Sequence, residues 1–455
     1  MDIYIIEYNK LDDRCKSLFL KNKDYEYFFL KWHHSNFENI FKNYKINLFT
    51  KKKTKYLKYK FSNLNFIEKK DKTENELCTF IKNTTIDDDK IVFYRDTFFD
   101  ENIIHILNKS KGKITVVVDS LFDNKTLDKQ TDIITTDKIL IKDNKKYKFT
   151  GLVKFNKSII SYIHKINPSH IGENLYDLII FLEKKGFLIK FIDIAGQWTN
   201  LKKPNDFLYF ILGTKGETLR RLKKLVQDSV IGEQILITYF DWQKNKNIII
   251  NSIKHKFKGN PIICRSSSKN EDNSEISSAG IYDSFSNIDV EDKGSIFQSI
   301  DKVFKSYGNV NNNNQVLIQK FFKKVKLAGV IMTCDLDTGA PYLNINFDDH
   351  SLTTNSITSG NHYSSRNIII ANNKMNLIKK IEPKLINVVK AAKEIMKILN
   401  FSKLDIEFAV DFKNNVQIFQ VRPITVRHDD FSFEKKIIFK EQKDAVKIFK
   451  KLQKP

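Results

Sequence analysis

A chain of 455 residues with 41% hydrophobic content is long enough for two or three domains with real cores. Its formal charge of +23 raises nucleic-acid binding, but the lysines run throughout the chain, densest in KKKTKYLKYK at 51–60 and near the C-terminus; the expectation is a solvated basic face, with nucleic acid not among the partners and an anionic substrate or acidic partner domain left open. No segment reaches the run of ~18 apolar residues a membrane span needs, MDIYIIEYNK lacks the pattern of a secretory signal, and Cys15, Cys78, Cys264 and Cys334 follow no zinc spacing, which together predict a reduced, cytoplasmic protein.

Residues 1–207 read as α/β. Apolar runs predict strands at IVFY (91–94), ITVVV (114–118) and FLIKFIDI (187–194), and helical periodicity appears in ENIIHILNK and NLYDLIIFLEKKG, with Gly186 closing the second helix. Alternating strands and helices predict a mostly parallel sheet. Further along come a helix (GETLRRLKKLVQ), a strand (QILITYF) and a second helix. An Asn-rich surface loop follows at 309–315, then a long amphipathic helical region at 375–401 interrupted near Pro383.

The stretch LDIEFAVDFKNNVQIFQVRPIT (404–425) reads as a β-hairpin. A two-residue Asn414-Asn415 turn sets Phe408 opposite Val421, Val410 opposite Phe419 and Ile406 opposite Pro423. It pairs Glu407 with Arg422 and places Gln420 opposite Ala409 on the other face. A carboxylate, an amide and a guanidinium on one sheet face suit a divalent metal bridged to a polyphosphate. The plainer reading is a half-exposed hairpin with a cross-strand salt bridge.

A second segment, PIICRSSSKNEDNSEISSAGIYDSF (261–285), delivers Arg265 from an apolar strand into a polar loop. Together the two segments resemble the ATP-binding domain of the phosphoenolpyruvate synthase and pyruvate phosphate dikinase family. Arg265, Ser266, Ser267, Glu271, Asp272, Ser278, Ala279 and Gly280 match its first motif; Asp405, Ile406, Glu407, Gln420, Arg422, Pro423 and Thr425 match its last. Between or before them, LGTKGETL (212–219) resembles the family's G-G-K-G-x-x-L, with Thr214 in place of the second glycine. QVLIQKFFKKVKLAGVIMT (315–333) resembles its V-Q-x-M…A-G-V-x-F-T, matching at Gln319, Gly329, Val330 and Thr333. The resemblance spans roughly 208–428. It implies a two-lobed ATP-grasp domain over 208–430, with lobes of about 208–325 and 326–430, that binds ATP and Mg²⁺. It implies that Lys215 and Arg265 contact phosphates, Gln319 lies near the nucleotide, Glu407 and Gln420 ligate Mg²⁺, and Arg422 steadies the transferring phosphates. Lys215, Arg265 and Arg422 are thus the candidate catalytic residues.

In that family a histidine on a mobile phosphohistidine domain attacks the β-phosphorus of ATP, so that AMP leaves and a pyrophosphoryl-histidine remains. None of the nine histidines lies in the family's T-x-G-G-x-x-S-H-x-A context, including His428 in VRHDD. The expectation is a phosphohistidine domain supplied in cis beyond this chain or in trans, with 431–455 starting the linker or helix toward it.

The N-terminal half resembles the sugar-phosphate and cholinephosphate nucleotidyltransferases, through VFYRDTFFD (92–100), TVVVDS, FTGLVKF and FIDIAGQWTNLKKPND (191–206). It lacks that family's Gly-rich nucleotide loop. Arg95 replaces the glycine before Asp96, and Asn200 and Lys202 stand where a metal-binding carboxylate is wanted. The expected architecture is therefore a degenerate nucleotidyltransferase-like, Rossmann-like α/β domain followed by the ATP-grasp domain. That order, with PYLNINFDDHSLTTNSITSG at 341–360 replacing a Gly-rich stretch, most resembles the branch that begins capsular phosphoramidate biosynthesis. It implies a kinase whose acceptor is L-glutamine. Other readings of the chain are a water dikinase or related phosphotransferase, a non-catalytic regulatory module, and a nucleic-acid binder.

Overall fold

The computed structural model describes residues 1–6, 25–49, 59–67, 76–120, 139–142, 145–194, 197–201, 204–268, 283–311, 314–350 and 366–424. The chain divides into two compact units, Met1–Phe210 and Ile211–Pro455.

The first unit contains β1 (Asp2–Ile6), α1 (Tyr25–Glu38), β2 (Lys45–Phe49), β3 (Leu64–Ile67), α2 (Glu76–Asn83), β4 (Lys90–Tyr94), β5 (Thr97–Phe99), α3 (Glu101–Lys109), β6 (Ile114–Asp119), β7 (Ile139–Lys142), β8 (Lys145–Phe155), α4 (Lys157–Ile163), α5 (Leu175–Lys184), β9 (Ile189–Asp193), β10 (Trp198–Asn200) and α6 (Pro204–Ile211). Its main sheet runs β3-β2-β1-β4-β8-β6-β9, with β7 on β8. Neighbours are parallel except at β8, which runs against β4, β6 and β7, so the expected mostly parallel sheet carries an antiparallel insertion. Helices cover both faces. Val92 and Tyr94 pack in one apolar cluster with residues of α2, α4 and α5, while Phe93, between them, meets Phe29 and Phe37 of α1. This two-sided burial is why β4 and β6 read as unbroken apolar runs rather than alternating ones. α5 starts at a reciprocal cap in which Asn174 and Asp177 satisfy each other's backbone N–H groups. It ends at Gly186, whose φ of +84° fits the left-handed C′ position.

The second unit contains α7 (Lys215–Lys223), β11 (Gln234–Thr238), α8 (Tyr239–Phe257), β12 (Ile262–Ser267), β13 (Ser284–Ile288), α9 (Lys293–Ser306), β14 (Gln315–Lys320), β15 (Leu327–Met332), β16 (Tyr342–Asp348), β17 (Arg366–Ala371), α10 (Ile378–Ile381), α11 (Ile386–Leu399), β18 (Leu404–Val410) and β19 (Val416–Pro423). They form two antiparallel sheets, β11-β14-β12-β13 and β17-β16-β15-β18-β19. In the four-stranded sheet, Ile262, Cys264, Val316, Ile318 and Ile237 share the apolar face, packed on α8 and α9. The strand period of two then puts Arg265, Ser267, Gln315, Gln319 and Gln234 on the opposite face. In the five-stranded sheet, α11 packs against β18 and β19, and Asp405, Glu407, Gln420 and Arg422 share one face. Gly329 on β15 is required by close approach, since a Cβ there would lie 2.2 Å from the Asn346 carbonyl oxygen.

Candidate functional site

The two polar faces meet through Arg265. Its Nη2 donates to Glu407 Oε2 at 2.7 Å and its Nη1 to the Phe419 carbonyl at 3.3 Å. Beside this pair, Arg422 Nε donates to Asp405 Oδ2 at 2.7 Å. Gln420 stands directly opposite Glu407, and Arg422 opposite Asp405.

This corrects the hairpin read from sequence. Glu407 pairs with Gln420, not Arg422; Phe408 faces Ile418 and Val410 faces Val416; a bulge at Phe419 shifts the register between Glu407 and Phe408. The connection is not a two-residue Asn414-Asn415 turn but the stretch 411–415. There the Asp411 carboxylate accepts from the backbone N–H groups of Lys413 and Asn415, and Asn414 takes a φ of +64°. The bulge, a device common beside functional sites, inserts Phe419, whose carbonyl Arg265 uses. The real hairpin is offset by two residues and the bulge, so the polar set still shares one face. Asp405 matches the motif in the sequence but carries no role in the sequence-based site; the structure makes it the partner of Arg422, two residues before Glu407 and so on the same face.

Electrostatics separate the two carboxylates. Burial opposes the charge of Glu407, but Arg265 and then Lys215 outweigh it and hold the carboxyl below the usual glutamate range. Burial pushes Asp405 above the usual aspartate value despite the charge of Arg422. Lys215 thus acts on both carboxylates from the start of α7. That start is capped within the protein. Gly213 N–H donates to Thr218 Oγ1, Thr214 N–H to Glu217 Oε2, Gly216 N–H to Ser267 Oγ and Glu217 N–H to Thr214 Oγ1. Thr214 Oγ1 in turn donates to Gln315 Oε1, and Gln315 Nε2 to Glu217 Oε1. With these backbone donors occupied, an anion at this point would be met by the Lys215 side chain. Gly216 packs closely on β11, where a Cβ would meet the end of the Leu236 side chain at 2.4 Å.

Gln319 is buried on the same face as Arg265. Among the described residues, Gln319 Oε1, Gln420 Oε1, Asp405 Oδ1 and Arg265 Nε are buried with no hydrogen-bond partner. Such groups cost about 1–3 kcal/mol each when left unmatched; three oxygens and one guanidinium donor fit a ligand that brings both oxygen and a bound cation. Among the described residues no group of three or more His, Cys, Asp or Glu could hold a metal alone. Glu407 and Gln420 offer two oxygens, which suits Mg²⁺, an ion that takes few protein ligands and completes its shell with phosphate and water. Glu271, Asp272, Ser278, Ala279, Gly280, Thr425, His428, residues 351–360 and residues 431–455 lie outside the described residues.

In the first unit, β10 pairs with β5 and brings Asn200 opposite Thr97. Asn200 Nδ2 donates to Asp96 Oδ2 at 3.5 Å, and Trp198 Nε1 to Asp119 Oδ2 at 2.8 Å. The two positions converge as one carboxylate and one amide joined by that hydrogen bond.

No protein-family model matches the chain, and no curated protein matches it. Among solved structures, an inositol-1-phosphate CTP transferase from T. maritima matches with a TM-score of 0.34 at 14% identity, over 45% of this chain and 90% of that one. A 4-diphosphocytidyl-2C-methyl-D-erythritol synthase from Anaerococcus prevotii matches with a TM-score of 0.33 at 13% identity, over 46% and 92%. Likenesses at this level carry no inference about activity.

Proposed function

We propose that the second unit is the ATP-binding part of a dikinase-type phosphotransferase with an ATP-grasp domain, and that the whole enzyme is an L-glutamine kinase. It would convert ATP, L-glutamine and water to AMP, phosphate and L-glutamine phosphate, using a phosphohistidine domain in cis or in trans. The observation that carries the reading is the paired Arg265–Glu407 and Arg422–Asp405 cluster with its buried, unmatched oxygens on Gln319, Gln420 and Asp405.

Each residue has a definable task. Arg265 and Arg422 bind phosphate oxygens through their forked donors. Lys215 adds a third positive charge where negative charge must be balanced. Glu407 and Gln420 supply the oxygens that would hold Mg²⁺, which when bound neutralises phosphate charge. Gln319 offers its unmatched carbonyl to the nucleotide. Phosphoryl transfer depends on positioning and charge neutralisation, so a site without a protein nucleophile of its own is consistent with this chemistry. L-glutamine as acceptor rests on the order of sequence segments rather than on this cluster.

The test is calorimetric titration with ATP, with and without Mg²⁺, for the wild-type chain, Arg422→Ala and Glu407→Ala. The expected result is metal-dependent binding that both substitutions abolish. A folded wild-type chain that binds no nucleotide overturns the reading and leaves a non-catalytic role.

A further inference from the structure

We propose that Asn344 and Asn346 on β16 form a subsite for the terminal phosphate of a nucleoside triphosphate, an inference that rests on the nucleotide reading above. Strand register places them. Asn346 lies in one cross-strand row with Val330, Glu407 and Gln420, and Asn344 in the next row with Met332, Asp405 and Arg422. Residues directly opposite in adjacent strands share a face, so both carboxamides point to the side that carries the charged cluster.

Exposure along these rows is graded. Gln420 and Asp405 are 3% and 7% exposed, whereas Ile369, beyond Asn344 on β17, is 64% exposed. Asn344 and Asn346 are half-buried between these extremes. The closed side is built by the chain itself. Val230 bridges to Gln417 on the outer edge of β19, with Val230 N–H donating to the Val416 carbonyl and Ile418 N–H to the Val230 carbonyl. A polyphosphate gripped by Arg265 and Arg422 therefore has room to extend across β15 toward β16.

The chemistry suits its outer end. Adjacent strands lie about 4.8 Å apart, so β16 is about 10 Å from β18, a gap bridged partly by side chains and partly by the phosphates. Neither asparagine side chain has a hydrogen bond to another described residue. Their N–H groups can donate to phosphate oxygens without adding charge, which holds the terminal phosphate less tightly than a guanidinium and lets it depart with the β-phosphate when the bond to AMP breaks.

The test compares the wild-type chain with the double substitution Asn344→Ala, Asn346→Ala and with Asn344→Ser, Asn346→Ser, checked for matching thermal melts. Affinities are measured with Mg²⁺ for ADP and for the β,γ-imido analogue of ATP. Two lost hydrogen bonds predict about tenfold weaker binding of the triphosphate analogue, with ADP affinity held within about twofold of wild type. Equal weakening of both ligands, or of neither, overturns the subsite while leaving the nucleotide site in place. A wild-type chain that binds neither ligand removes the nucleotide reading and the subsite with it.

Discussion

Arg265 on β12 and Glu407 on β18 hold each other at 2.7 Å across 142 residues of sequence. One bond thereby ties the polar face of the four-stranded sheet to that of the five-stranded sheet. Both side chains are largely buried, so the pair couples stability to the candidate site.

Removing one partner should cost more than removing both. Arg265→Ala leaves the buried Glu407 carboxylate without its direct partner, with Lys215 and Arg422 as the remaining positive charges acting on it, and is expected to cost about 3–5 kcal/mol. Glu407→Gln keeps an acceptor and should cost about 1–3 kcal/mol. Denaturant unfolding of the two single variants and the double variant forms the cycle; strictly additive costs would show that the pair is not coupled.

Asp405 gives a pH signature of known sign. Its folded carboxyl titrates above its unfolded value, with burial the leading cause. Between those two values the folded state binds more protons, so this group's contribution to stability falls as pH rises through that window. Asp405→Asn removes the dependence. Relative to wild type, the variant should therefore be better tolerated at pH 7 than near pH 4, as measured by denaturant melts. The opposite trend would mean that Arg422 outweighs burial.

The cap of α7 can be tested apart from the ion pairs. Thr214→Ala loses the side-chain acceptor for Glu217 N–H and the donor to Gln315, and should cost about 1–2 kcal/mol. Thr214→Gly restores the glycine of the resembled motif and should cost less at the cap, though it also loses the Gln315 bond. If thermal melts rank glycine as the worse substitution, the tie to Gln315 rather than the cap dominates.

Gly329→Ala probes sheet spacing. The added methyl meets the Asn346 backbone at 2.2 Å, which a side-chain rotation cannot relieve, so β15 and β16 must shift. A cost of about 1–3 kcal/mol is expected, and a thermal melt unchanged from wild type would contradict the register of this strand pair.

Much of this was legible in the sequence. The faces of β12 and β18 follow from alternation alone, and an even offset in register leaves a face intact. That is why Glu407, Gln420 and Arg422 were grouped correctly while every cross-strand partner was misassigned. The partners depended on the turn organised by the Asp411 carboxylate and on the extra residue at Phe419, neither of which alternation encodes. The Arg265–Glu407 contact joins distant segments and has no local signal. In the first unit, β8 runs antiparallel between β4 and β6, which the alternation of strands and helices does not predict, because strand direction is set by neighbours rather than by a strand's own residues.

The bridge from Val230 to β19 has a consequence for synthesis. Val230 is translated 186 residues before its partner Val416, and β18 and β19 lie near the end of the described chain. Contacts of such long sequence separation close slowly, because the loop entropy must be met before they form. On the ribosome, α7 and the four-stranded sheet emerge first and wait with Arg265 unpaired. The five-stranded sheet gains its β18–β19 hairpin last, and the ion pair forms with it. Folding intermediates of this unit should then leave the Val230 backbone N–H and carbonyl unpaired and expose the polar face of β12, so truncations that stop before β18 would be prone to chaperone capture rather than to gradual loss of stability.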